Sequence, residues 1–216
     1  YVGINSIDFN FLTFGLTRNI GSYEIEEQKD LQNLIDLASG IFYQNFEDYK
    51  IIHFFNSGFY LDKKNYIDNP VGLRSKTLDV NFSFLSLEKN IILNFDQVFK
   101  KAGLKVKKYF YSPLASSILS SDQQVLEKGF INIDFGYDKT SITLFKNSKL
   151  IFSNSIPIGS FHINNDLMKS IDLDKNLAEK IKCNFDKILN GDIDSSIKSE
   201  LSNKRISIDI VQKIVD

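Results

Sequence analysis

The chain has 216 residues, 43% of them hydrophobic and 25% charged, a balance that excludes disorder and fibrous repeats and leaves room for one or two buried cores. Its 26 basic and 27 acidic side chains leave a net charge of -1, so no global field gathers anionic polymers and no nucleic-acid partner is expected. A single cysteine, Cys183, and two histidines, His53 and His162, exclude an internal disulfide and a Cys/His metal cluster.

From the start, Tyr1 to Phe14 alternates like extended chain, predicting a hairpin or two. Leu31, Leu34, Ile35, Leu37, Ala38 and Phe42 then recur at helical spacing, predicting a helix over about Glu26 to Phe42. Two short strands are expected at Lys50 to Phe55 and Gly58 to Leu61. Asn69-Pro70-Val71-Gly72-Leu73 reads as a shaped loop, because Pro fixes its own φ and Gly72 permits a positive one. Thr77 to Leu85 is a predicted strand. Leu87 to Ala102 carries a helical stripe of Ile91, Ile92, Phe95, Val98 and Phe99, with Gly103 as C-cap. A strand at Val106 to Tyr111 follows, and Pro113 to Leu126 places Leu114, Ala115, Ile118 and Leu119 on one helical face before a polar turn. Lys100, Lys101, Lys105, Lys107 and Lys108 read as a solvated face.

Phe130-Ile131-Asn132-Ile133-Asp134 is a predicted strand ending in a carboxylate. A turn at Phe135 to Lys139 leads into a second strand at Thr140 to Phe145, and a third spans Leu150 to Ile158. Backbone N–H groups of such a turn can point at phosphate oxygens, with a hydrated Mg²⁺ bridging them to the carboxylate. Any hairpin can also place Asp and Gly at its ends. Asn164-Asn165-Asp166 is expected to cap a helix ending near Ile171, and Asp174 to Ile188 to form another. Gly191 to Lys204 reads as a mobile polar loop, and Ile206 to Val215 as a strand entering a helix. No run approaches the ~18 apolar residues of a membrane span. Opening on Tyr1-Val2-Gly3-Ile4 and closing within an element, the chain is expected to lack sequence at both ends.

Read in order, several strings resemble the FtsA family of actin-like cell-division proteins. They are Asn69-Pro70-Val71-Gly72-Leu73, Ala102-Gly103-Leu104-Lys105-Val106, Pro113-Leu114-Ala115-Ser116-Ser117, Ile133-Asp134-Phe135-Gly136, Pro157-Ile158-Gly159 with Asn165-Asp166, and Ala178-Glu179-x-x-Lys182. The resemblance implies an α/β fold with an α+β insert, an actin-like (ribonuclease H-like) lobe fragment carrying an inserted subdomain of the 1C type. It places that insert at 1–80, a return to the first lobe (1A-like) at 81–126, and part of the second lobe (2A with part of 2B) at 127–216. The first phosphate loop, the Gly-Gly adenosine loop and a C-terminal amphipathic membrane helix of the family have no counterpart here.

On the resemblance, the nucleotide-binding residues are Asp134, Gly136, Lys139, Thr140, Gly159, Glu179 and Lys182, with Asp134 reaching Mg²⁺ through water. The cofactors it implies are ATP and Mg²⁺. Family hairpins commonly run Asp-x-Gly-Gly-Gly-Thr; this chain carries Tyr137, Asp138 and Lys139 instead, where Asp138 repels a phosphate and Lys139 offsets that charge. Thr140 is equally explained by β-propensity, Glu179 with Lys182 by a surface ion pair, and Asp166 by an N-cap instead of a place on the cleft floor. The implied function is an adaptor that polymerises with itself and tethers the FtsZ ring to the cytoplasmic face of the inner membrane. It would be at most a weak ATPase, touching other divisome proteins through 1–80 and the membrane through the missing helix. A PilM-like pilus-assembly protein and a small-molecule kinase of the same fold are the alternatives.

Overall fold

The computed structural model describes residues 1–215, the side chains of Glu27, Gln28 and Asn65 excepted. Strands β1 (Val2–Ile4) and β2 (Asn10–Asn19) precede helix α1 (Gln32–Asn45) and strands β3 (Tyr49–Leu61), β4 (Asn65–Ile67) and β5 (Thr77–Glu88). Helix α2 (Lys89–Lys101), strand β6 (Tyr109–Tyr111) and helices α3 (Ser112–Leu119) and α4 (Gln123–Lys128) follow. Next come β7 (Phe130–Phe135), β8 (Thr140–Lys146) and β9 (Lys149–Ile156), paired in that order, and then helices α5 (Ser160–Ile171), α6 (Lys175–Cys183), α7 (Phe185–Leu189), α8 (Ser195–Asn203) and α9 (Ile208–Val215). The chain divides into two compact units, Tyr1–Asp134 with Ser141–Ser155, and Phe135–Thr140 with the residues from Ile156 on.

The first unit is organised by β5. It lies between β2 and β3 in an antiparallel sheet of order β2-β5-β3-β4. Along its first half alternate residues are buried, and from Phe82 to Leu87 both faces are. Leu78, Val80, Phe82 and Phe84 turn one way and pack with Leu34, Ala38 and Phe42 of α1. Leu85 and Leu87 turn the other way, onto Tyr111 and Leu114 and onto Ile4, Ile92 and Tyr109 respectively. A strand covered on both sides explains the near-continuous apolar text of its second half. Ser83, fully buried, is held by hydroxyl contacts to Thr13 (3.0 Å) and Ser57 (2.7 Å).

Local chemistry moves several elements from their predicted places. The alternating first segment makes no hairpin: β1 pairs in parallel with β6, and β2 runs antiparallel to β5, while Phe9 between them packs against the Tyr111 ring at 4.6 Å. The two short strands expected around Phe55 are one strand, β3, kinked by irregularities at Ile51/His53 and Asn56/Gly58. Helix α1 begins only at Gln32, after a π-turn at Glu27–Leu31. There Asp30 is fully buried, accepting from the Glu26 N–H (2.9 Å) and pairing with Arg18 Nη2 (3.0 Å), so its side chain competes with regular helical bonding. Leu37, assigned to the buried stripe, is 54% exposed, and Val98 on α2 and Ile118 and Leu119 on α3 are exposed too. The loop at Asn69 is shaped as expected, with Asn69 Oδ1 accepting from Val71 N–H (3.1 Å) and Gly72 at φ +83°.

His53 joins β3 to β6, its Nε2 accepting the Tyr111 N–H at 3.0 Å. Burial, reinforced by the Lys108 charge, lowers its pKa to about 4. The native state therefore favours the neutral ring, and the sign follows: this contribution to stability is complete above the ordinary value of 6.5 and is lost as pH falls towards 4. Urea midpoints of the wild type should decline through that window more steeply than those of His53→Gln; parallel curves would show that His53 does not govern the acid limb.

The second unit is mostly helical. Leu167 of α5, Leu177, Ala178 and Ile181 of α6, Ile188 of α7, Ile197 and Leu201 of α8 and Val211 of α9 form its core. Gly191 to Lys204, expected as a mobile loop, contains α8, whose N-cap Asp194 accepts from Ser196 N–H at 2.8 Å and whose Ile197 and Leu201 lie one turn apart facing the core. The segment from Ile206 makes a helix, α9, and no strand. Helix α5 starts at Ser160, four residues before its expected cap, so Asp166 lies inside the helix and is not its N-cap.

Candidate functional site

The turn between β7 and β8 is built against the start of α5. Gly136 N–H donates to Lys139 O (2.9 Å), closing the turn. Ser160 N–H donates to Gly136 O (3.0 Å) and Phe161 N–H to Tyr137 O (2.8 Å), so the turn's carbonyls satisfy the first two donors of α5. Gly159 makes this contact possible. A Cβ there would sit 2.6 Å from both Gly136 O and Tyr137 O, with backbone on both sides and nothing able to yield. Its N–H is held by His162 Nδ1 at 3.1 Å.

Peptide planarity gives this seating a chemical consequence. In a trans peptide the N–H points opposite to the C=O, and no cis bond occurs among the described residues. With the carbonyls of Gly136 and Tyr137 turned onto α5, the N–H groups of Tyr137 and Asp138 point to the far side of the turn. Two successive backbone donors of the turn therefore face away from α5. Lys139, its side chain 16% exposed, lies at the same turn with Nζ 4.0 Å from Asp138 Oδ2. The Tyr137 ring, half exposed, rests on Phe161 at 5.2 Å.

Thr140 is buried, and its hydroxyl donates to Ile158 O at 2.6 Å, clamping β8 to the segment leading into Gly159. Its proton is therefore engaged within the protein. Asp134 closes the first unit, half-buried on the same side of β7 as Phe130 and Asn132.

Glu179 and Lys182 share a face of α6 and are paired at 2.8 Å. Glu179 also accepts from Asn164 Nδ2 (2.5 Å) and from the Cys183 thiol (3.3 Å). The hydrogen bond from Lys182, then those from Asn164 and Cys183, hold its carboxyl at about 2, far below the ordinary carboxylate range. Glu179 pushes the Cys183 thiol up in return. Ser160 and Asn164 are one turn apart on α5, roughly 6 Å along its axis, so a single helix links the turn to this cluster. Within the second unit the structure thus gathers Gly136, Lys139, Thr140 and Gly159 at one end of α5, and Glu179 with Lys182 beside its second turn.

Asn164 and His162 were missed as site residues by sequence reasoning. Asn164 was legible: it is a polar residue in line with Ile163, Leu167 and Ile171 on an apolar stripe. His162 carried no signal, since its role depends on how Gly159 meets the turn.

The arrangement belongs to a known architecture. Over 90% of its length the chain superposes on 53% of a chain of the PilM-PilN type IV pilus biogenesis complex, with a TM-score of 0.50 and 13% sequence identity, a likeness of fold alone. With its α/β lobe and inserted α+β subdomain, this is an actin-like fold. The model for the cell division protein FtsA matches residues 131–212, and that for the SHS2 domain inserted in FtsA matches residues 13–86. The chain belongs to the FtsA family of cell-division proteins. It is 27% identical over 167 residues to the cell division protein FtsA of Rhizobium meliloti, covering 77% of this chain and 37% of that protein. It is 24% identical over 161 residues to that of Helicobacter pylori J99, covering 74% of this chain and 31% of that protein. The chain thus spans about a third of the length of these curated relatives.

Proposed function

We propose that this chain forms part of an ATP-binding, filament-forming division protein that links FtsZ to the cytoplasmic membrane. The observation carrying the proposal is the turn seated on α5 by Gly159, which aims the Tyr137 and Asp138 N–H groups outward beside Lys139. A nucleotide phosphate is the ligand such donors fit, and Glu179 with Lys182, beside the second turn of the same helix, would receive the ribose or base. No cluster of three or more His, Cys, Asp or Glu side chains that could hold a metal occurs among the described residues. Asp134 is the residue that would hold Mg²⁺, through water as is usual for that ion. When bound, Mg²⁺ would offset phosphate charge; orienting the phosphate falls to the turn.

In this proposal 1–80 is the inserted subdomain and supplies a protomer contact and a surface for other divisome proteins, 81–126 returns to the first lobe, and 127–216 contributes the second. In this proposal an amphipathic helix of the full-length protein makes the membrane contact; among the described residues no helix is long and apolar enough to cross a membrane. The experiment is Gly159→Val in the gene product carrying this sequence. The added side chain must displace the turn, an overpacking that costs about 1–3 kcal/mol and moves both outward N–H groups. ATP affinity is expected to fall at least tenfold or so, and ATP-dependent filaments on lipid monolayers to disappear. Wild-type ATP affinity in a folded Gly159→Val protein would overturn the proposal.

A further inference from the structure

The contact between α5 and α6 assigns a role to a residue outside the family-like strings of the nucleotide site. We infer that Asn164 is the positioning residue that fixes Glu179, and through it Lys182, at a set distance from the phosphate-facing turn. The inference deepens the proposed function and rests on it for the identity of the ligand.

Asn164 is 1% exposed, and its side-chain amide donates from Nδ2 to Glu179 Oε2 at 2.5 Å. Its Oδ1 is buried with no hydrogen-bond partner among the described residues. An unmet buried acceptor is a cost, and an apolar residue of the same shape would avoid it. That cost is expected where the side chain does a job that packing alone cannot. The neighbouring positions on the stripe, Ile163, Leu167 and Ile171, show what packing alone selects.

The geometry identifies the job. The Glu179 side chain is 47% exposed and keeps rotamer freedom that a single contact to the flexible Lys182 stem would not remove. A short hydrogen bond from an immobile amide removes it. The amide is immobile because α5 is pinned at its first turn by Gly136 O and Tyr137 O. Asn164 thus carries the position of the turn to the Glu179–Lys182 pair, keeping the two ends of a nucleotide-sized ligand in register.

Cys183, the only cysteine of the chain, is exposed and donates to Glu179 Oε1, which makes its thiol a reporter of where that carboxylate lies. The test is the pH–rate profile of iodoacetamide alkylation at Cys183 in the full chain. Glu179→Gln should move the profile to lower pH and speed alkylation at pH 8 by about threefold to tenfold, because the charge opposing thiolate formation is gone. Asn164→Leu should move it the same way by a comparable amount, and the two changes together should give no more than either alone. Asn164→Ser, too short to reach Glu179, serves if the leucine variant does not fold. A profile coincident with wild type in a folded Asn164 variant, or effects that simply add, would overturn the inference and leave Asn164 a packing residue. A second arm adds Mg-ATP or Mg-tripolyphosphate. Protection of Cys183 by Mg-ATP alone, lost in the Asn164 variants, supports the register role. Absence of protection in wild type counts against nucleotide binding by this chain, while the profiles still decide the positioning role.

Discussion

Arg18→Met is expected to destabilise the protein by about 3–5 kcal/mol, because it removes the ionic partner of a fully buried carboxylate. Asp30 Oδ1 lies 3.0 Å from Arg18 Nη2, and the guanidinium also donates from Nη1 to Lys29 O at 3.1 Å, so the substitution strips the π-turn of two contacts. The loss should be read from chemical denaturation at neutral pH. Arg18→Met combined with Asp30→Leu separates the pair's net worth from the penalty of an orphaned charge, since the second change removes that charge. Recovery of most of the stability is expected. If Arg18→Met alone costs less than about 1 kcal/mol, water reaches Asp30 and the pair is a surface feature.

A loss of similar size, about 3–5 kcal/mol, is expected for Phe84→Ala. Phe84 is fully buried, and its ring centre lies 5.1 Å from each of the rings of Phe14, Phe42 and Phe54. It therefore joins strands β2, β3 and β5 to helix α1 at one point, and truncation leaves a hole bordered by rigid rings that close in poorly. Phe84→Leu, which keeps part of the volume, should cost about half as much. Equal costs for the two would mean that the surrounding rings relax into the space.

Much of this architecture was legible in the residues. Thr77 to Leu85 reads as a strand by its alternation, Leu34, Ala38 and Phe42 as a helix stripe, and Asp134 to Thr140 as a turn between strands. Such features depend on neighbours in sequence. The failures share another cause. β1 pairs with β6 and β2 with β5, partnerships that the alternation of Tyr1 to Phe14 cannot name because a strand pattern does not specify its partner. Asp30 delays the start of α1 because Arg18 reaches it across the fold. Helix α8 was obscured by a serine-rich composition, although Asp194 with Ile197 and Leu201 carried its cap and its face. In the candidate site, Glu179 and Lys182 were marked by the family-like string that carries them and Asn164 by its polarity on an apolar stripe, whereas the role of His162 comes from a contact that only tertiary structure creates.

The two neighbours of β5 also differ in how far they lie along the chain. On one side the ladder with β3 begins between Leu61 and Leu78, joined by a short excursion; on the other, β2 brings Asn10 to Ser86 and Asn19 to Thr77. Closing a loop costs entropy that rises with its length, and a ladder returns nothing until the loop is closed. The β3–β5 pair therefore has the lower barrier to formation, and β2 adds to a template already present. Phe14, carried on that late strand, completes the cluster around Phe84 only when the longest loop of the sheet has shut.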